Sequence, residues 1–187
     1  PADMHTTATR DGDDYVLHGV KHFISNAAEA DFIVVFAKTD AQAGVRGVSA
    51  FIVPRASPGV QVGQPERLLG IRGGHAFEVA LDHVRVPVSH RVGGEGSGFK
   101  TAMKVLDNSR LDVAATALGI AQAALRAAVR WAQERQVGGE ALMHKQGIQW
   151  KLADMQVRLE AAWGLTMQAL ALRQAGLPFS EQSAMAK

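Results

Sequence analysis

The apolar pattern of this chain changes period part-way along its length. From Thr6 to Val86 it runs in short segments of period two, separated by glycine and proline. Tyr15, Leu17 and Gly19 alternate with Val16, His18 and Val20, and Arg10-Asp11-Gly12-Asp13 is a tight-turn signal. Thr6–Arg10 and Tyr15–Lys21 are therefore predicted to pair as a hairpin. The unbroken apolar run Phe32–Ala37 predicts a strand buried on both faces. Gly47–Pro54, Val60–Gly63 and Phe77–Val86 predict three more strands, with Asp40–Gly44 and the glycine-rich Leu68–His75 as loops. After Pro87 the pattern becomes helical. Between Gly98 and Arg135, large apolar residues fall at Leu106, Leu111, Leu118, Leu125 and Val129, with Ile120 and Trp131 close to the same stripe. Alanine fills much of the rest, favouring helix and close helix packing. One long helix is expected, or two in line broken near Asp107–Ser109. A second helix, His144–Ala175, carries Ile148, Leu152, Met155, Leu159, Ala162, Leu165 and Ala169 and is stopped by Gly176 and Pro178. Ser180 with Glu181 reads as the cap of a third helix that is still running at Lys187, as though the element continued.

The expected fold class is α+β: a small antiparallel β-barrel or sandwich, then long antiparallel helices of an incomplete four-helix bundle. The domains are read as 1–90 and 91–187. The polar first residues resemble neither a signal peptide nor a natural start.

Charge and composition narrow the function. Twenty basic residues against 18 acidic ones give a net charge of +2 with no basic cluster, which argues against nucleic-acid binding. With no cysteine there is no disulfide framework and no thiolate chemistry. No run of about 18 apolar residues is free of charge, so no membrane span is expected. The seven histidines show no metal-ligand spacing, and no metal is assigned.

Several residues have two readings on local grounds. The loop Gly93–Phe99 precedes a helix and could cradle phosphate, but no parallel strand follows it, so a flexible interdomain connection is preferred. Asp107 and Arg110, three apart, read first as a helix ion pair. Arg135 closes the long helix, where it complements the dipole, pairs with Glu134, or binds an anion. Phe23-Ile24-Ser25-Asn26 ends a strand. Its ring and hydroxyl could meet a flat heterocycle, or be a core phenylalanine and a turn serine.

Six stretches, in order, carry a stronger signal: Tyr15–Asn26 (YVLHGVKHFISN), Leu69–Gly73 (LGIRG), Val84–Pro87 (VRVP), Gly94–Phe99 (GEGSGF), Ala117–Leu125 (ALGIAQAAL) and Gln146–Met155 (QGIQWKLADM). Together they resemble the middle and C-terminal portions of an acyl-CoA dehydrogenase, over essentially the whole chain. The resemblance implies a flavoenzyme with FAD as cofactor. It implies that Phe23, Ile24 and Ser25 meet the isoalloxazine, where the family more often has tryptophan and threonine. It implies that Arg135, with Val137 and Gln146 nearby, binds the FAD pyrophosphate of a neighbouring subunit, and that Asp107 and Arg110 border the CoA part of the substrate. Gly138 stands where the family usually has phenylalanine, which is expected to loosen the adenosine contact.

The implied reaction is α,β-dehydrogenation of an acyl-CoA thioester, with hydride transfer to flavin N5 and electron-transfer flavoprotein as acceptor. No catalytic base is assigned in this chain: relatives that place it on the long helix carry it where Ser109 stands, and otherwise the glutamate is expected beyond Lys187. The isolated fragment is expected to be inactive. A homodimer or homotetramer is implied, in a bacterial cytoplasm or a mitochondrial matrix. Three alternatives stay open: a non-catalytic FAD-sharing partner subunit, a flavin-dependent oxidase or monooxygenase of the same fold, and a scaffold with no cofactor.

Overall fold

The computed structural model describes residues 4–187. Two compact units divide the chain, 1–102 and 103–187.

In the first unit, β1 (Thr7–Asp11) and β2 (Asp14–Ser25) form the expected hairpin, in register from Thr7↔His18 to Asp11↔Asp14 around Gly12 and Asp13. Then come β3 (Phe32–Lys38), β4 (Val48–Pro54), β5 (Val60–Pro65), β6 (Ala76–Pro87) and the short β7 (Arg91–Val92). All seven lie in one sheet, ordered β5-β6-β2-β1-β3-β4-β7. Every pairing is antiparallel except β1 with β3, which is parallel through Thr7↔Lys38. Inward residues of non-adjacent strands share one buried cluster that includes Tyr15, Leu17, Val35, Phe51, Val79 and Val84. The sheet therefore curls so that its inner face meets itself; the Tyr15 ring stands edge-on to Phe51 across the cluster, centroids 4.9 Å apart.

The structure corrects one strand. β3 buries Ile33, Val35 and Ala37 but leaves Phe32 and Val34 half exposed, so only one face is covered. An unbroken apolar run does not distinguish these cases; the pleat does, by sending alternate side chains to opposite faces.

The loop after β7 is fastened rather than flexible, which also overturns its reading as a free connection. The Gly96 N–H donates to Ser49 Oγ at 2.9 Å. A Cβ on buried Gly98 would lie 2.6 Å from the backbone carbon of Ser49, so only glycine fits that approach. Tyr15 Oη donates to Glu95 at 2.6 Å, and Arg91 donates to both Tyr15 Oη (2.9 Å) and Glu95 (3.1 Å). This fastening carries the first unit through the opening turn of the long helix.

Burial and the Glu95 carboxylate beside it raise the Tyr15 pKa above its ordinary value of 10.0. An unfolded chain loses that proton first as pH rises, so the folded state then holds more protons and is destabilised. Unfolding stability is expected to fall as pH climbs past about 10. Tyr15→Phe should flatten that fall; a slope identical in the variant would contradict it.

Helix α1 (Gly98–Glu134) is a single uninterrupted element of 37 residues, with no break at 107–109. Leu111, Ala114, Leu118, Leu125 and Ala132 form its buried stripe in the second unit, at steps of three, four and seven. Ile120 and Trp131 were expected near the stripe but are more than half exposed. At about 100° per residue, positions two and six past a stripe residue point elsewhere. By length and composition alone α1 is apolar enough to cross a membrane, although no 18 successive residues of it are free of charge, as expected; 17% of its most apolar stretch is buried.

A tight hairpin, absent from the sequence reading, joins the helices: β8 (Gln136–Val137) pairs with β9 (Glu140–Ala141). Gly138 and Gly139 turn it with φ of +65° and +85°, which L side chains resist. Helix α2 (Gln146–Gln174) ends at Gly176 (φ +69°). There the Leu177 N–H donates to the Leu172 carbonyl and the Gly176 N–H to that of Arg173, a Schellman closure. Helix α3 (Ser180–Ala186) is capped without a side chain at Phe179. Ser180, expected as its cap, lies inside the helix and donates its hydroxyl to Asp107 instead.

Candidate functional site

The residues singled out for ligand chemistry occupy three places. The first is the end of β2. Pairing with β6 loses register between Lys21 and Ile24, then resumes at Ile24↔Phe77 and Ser25↔Ala76. Phe23 sits in that irregularity with φ +56° and its ring 65% exposed. A bulky side chain at positive φ is strained by roughly 1–3 kcal/mol, and this one gains little burial in return. The strand end is nevertheless held. Ile24 packs against the core, and the Asn26 N–H donates to the His75 carbonyl at 2.8 Å. The Asn26 carbonyl, itself at φ +58°, accepts from the N–H groups of Glu29 and Ala30. Ser25 is exposed. A rigid strand end thus presents an aromatic ring and a hydroxyl two residues apart. Lys21 nearby is partly buried, and desolvation lowers its pKa.

The second place is the connection between α1 and α2, which brings Arg135, Val137 and Gln146 onto one short segment. The Arg135 N–H donates to Trp131, extending the helix, and its carbonyl accepts from Leu142, which anchors the hairpin. The guanidinium is exposed and, among the described residues, makes no ion pair; the pairing with Glu134 is not formed. Val137 is 42% exposed on β8, and Gln146 is exposed as the first residue of α2. Lys145 and Glu140 pair beside them, which holds the Glu140 carboxylate below its usual range. Among the described residues, the side chains of Arg135 and Gln146 make no hydrogen bond or ion pair. The paired glycines at 138 and 139 have a local reason that the sequence reading did not find: they close the turn.

The third place is the start of the second unit. Arg110 donates to Asp107 at 2.6 Å, both largely covered, and Ser180 donates to the other carboxylate oxygen. The ion pair predicted from the spacing is present. Its partner on α3 could not be read from the sequence, because 73 residues separate Ser180 from Asp107. Ser109 donates to the Leu106 carbonyl within the helix.

Two family models cover the chain nearly end to end. The model for the acyl-CoA dehydrogenase middle domain matches residues 1–84, and that for the acyl-CoA dehydrogenase C-terminal domain matches residues 96–187. The chain belongs to the acyl-CoA dehydrogenase family. Among curated relatives, the short-chain specific acyl-CoA dehydrogenase of Clostridium acetobutylicum is 43% identical over 98% of this chain and 48% of its own length. The mitochondrial short-chain specific enzyme of Bos taurus is 46% identical over 97% of the chain and 44% of its own. The solved butyryl-CoA dehydrogenase of Megasphaera elsdenii superposes with a TM-score of 0.95 at 42% identity, over 99% of this chain and 49% of that one. The chain spans about half the length of the relatives it matches. The family resemblance and the α+β class are borne out.

Proposed function

We propose that the protein carrying this chain is an FAD-dependent acyl-CoA dehydrogenase that removes hydrogen from the α and β carbons of a short acyl-CoA thioester. The observation that carries this reading is the end of β2. A phenylalanine held at positive φ with its ring exposed, beside an exposed serine hydroxyl, is a prepared face for a flat heterocycle. It lies within the stretch matched by the middle-domain model. FAD, when bound, supplies the hydride acceptor.

This chain's residues bind and orient. Phe23 would pack on the ring system and the Ser25 hydroxyl would hydrogen-bond its polar edge, while Ile24, packed against the core, holds the strand end that presents them. Arg135 and Gln146 meet a pyrophosphate, with Val137 against the adjoining apolar surface. Asp107 and Arg110 border the CoA moiety. None of these is assigned the α-proton: the Asp107 carboxylate is held by Arg110 and Ser180, and Ser109 has no carboxylate. Residues 1–90 form the flavin-facing domain and 91–187 the start of the helical one. Arg135 reaches the cofactor of a second subunit, which requires a homodimer or homotetramer. Electron-transfer flavoprotein is the acceptor. The short acyl chain follows the specificity named for the relatives, whose sources are both bacterial and mitochondrial; a bacterial cytoplasm or mitochondrial matrix accordingly suits the enzyme.

Purified from its full reading frame, the protein should be yellow, show a flavin spectrum, and reduce an artificial electron-accepting dye when given butyryl-CoA. Ser25→Ala should lower the rate of flavin reduction while leaving the fold intact. A colourless preparation that binds no added FAD would overturn the reading. Rapid oxygen consumption by the substrate-reduced enzyme would assign an oxidase instead.

A further inference from the structure

The outer face of the sheet holds a cluster that the flavin chemistry does not use. Along β6, burial runs Val79 in, Leu81 in, Asp82 out, His83 out, Val84 in and Val86 in. Leu81 and Val84 are three apart yet both inward, so the strand carries an extra residue. The pairing shows it: Leu17 faces Val84 and Gly19 faces Leu81, leaving His18 alone opposite Asp82 and His83. This is a β-bulge, and His83 takes its positive φ of +52°. In a regular strand Asp82 and His83 would point to opposite faces. The bulge turns both outward, over His18.

The neighbouring strand holds this geometry in place. The Asp82 N–H donates to the Gly59 carbonyl at 2.9 Å. A Cβ on Gly59 would lie 2.2 Å from the Asp82 carbonyl oxygen, so the turn leading into β5 abuts the bulge closely.

His83 Nδ1 lies 2.8 Å from Asp82 Oδ1, and His18 Nδ1 lies 3.7 Å from the same oxygen. The imidazole centroids are 4.7 Å apart, and one donor atom from each of the three residues falls within 4.8 Å of the others. Donors around a tetrahedral ion with bonds of about 2.0–2.1 Å stand roughly 3.3 Å apart. The observed separations of 2.8 and 3.7 Å from Asp82 Oδ1 bracket that spacing. Two imidazoles and a carboxylate suit zinc, copper(II) or nickel(II) rather than magnesium or calcium.

We propose that His18, Asp82 and His83 form a surface site for a late first-row divalent metal ion, clipping β2 to β6 at the bulge. The remaining coordination positions are open to water. The site lies on strands away from the β2 end, and it stands or falls independently of flavin binding.

The test is a calorimetric titration of the purified protein, with its flavin, by zinc chloride. One saturable site is expected, with a rise in Tm because only the folded state assembles the ligands. His83→Asn keeps a residue that tolerates positive φ, so the bulge survives while the ligand is lost. It and His18→Asn should each weaken binding about tenfold or more. His22→Asn should change nothing, since His22 pairs with Glu66 and Glu78 instead. In the copper(II)-loaded protein, electron paramagnetic resonance should show two coupled ring nitrogens, falling to one in either variant. The proposal is overturned if zinc does not bind saturably, if His83→Asn binds as tightly as the parent, or if the nitrogen couplings survive both substitutions.

Discussion

Arg135→Ala is expected to weaken FAD binding by roughly two orders of magnitude while leaving the fold as stable as before. A guanidinium holding a pyrophosphate makes charge-assisted, often bidentate hydrogen bonds, each contributing about 1.5–3 kcal/mol. Losing such contacts costs on the order of a hundredfold in affinity. Folding should hardly notice: the side chain is exposed and without an ion pair among the described residues. The anchoring hydrogen bonds of residue 135, to Trp131 and from Leu142, are made by its backbone and survive the substitution. Surface changes of this kind usually stay within about 0.5 kcal/mol. Arg135→Lys should recover only part of the affinity, because an ammonium supplies the charge without the planar fork. Flavin fluorescence titration alongside thermal unfolding separates the two effects. FAD affinity within a factor of two of the parent would remove Arg135 from the cofactor site.

The same residue shows where sequence reasoning stops. A cation closing a helix complements the dipole, pairs with a neighbouring acid, or binds an anion, and all three look alike in one dimension. The structure removes the Glu134 pairing, and the family match supplies the reason to favour the anion. The strands were legible because their burial alternates between glycine and proline breaks. The sides of β3 were not: Phe32 and Val34 are apolar yet sit outward, so the run carried no record of which face is covered. The bulge at Asp82-His83 did leave a trace, the three-residue step from Leu81 to Val84, which a strict period-two reading passes over. The β8–β9 hairpin also had a signal in Gly138-Gly139, a two-residue turn of the kind that needs positive φ twice. Contacts such as Tyr15 with Glu95 had no signal at all, since nothing local relates residues 80 positions apart.

That contact governs the largest expected effect on stability. Tyr15 is fully buried, packs edge-on against Phe51, and carries the hydroxyl that ties Glu95 and Arg91 to the sheet. Truncation to alanine removes the ring from a core with little freedom to collapse, which typically costs about 3–5 kcal/mol. It also cuts the fastening that leads the chain from β7 into α1. At about 4–8 °C per kcal/mol for a unit of roughly 100 residues, the midpoint of the β unit's unfolding should drop by roughly 20 °C. Tyr15→Phe separates the two contributions. The ring stays, and only the hydroxyl's bonds are lost, about 1 kcal/mol. The penalty stays small because Glu95 is 47% exposed and water can replace its partner. The order expected in thermal unfolding is therefore parent, then phenylalanine a few degrees lower, then alanine far below. If the alanine variant fell no further than the phenylalanine one, the ring's packing would contribute nothing. The β unit would then have to be held by contacts other than this core.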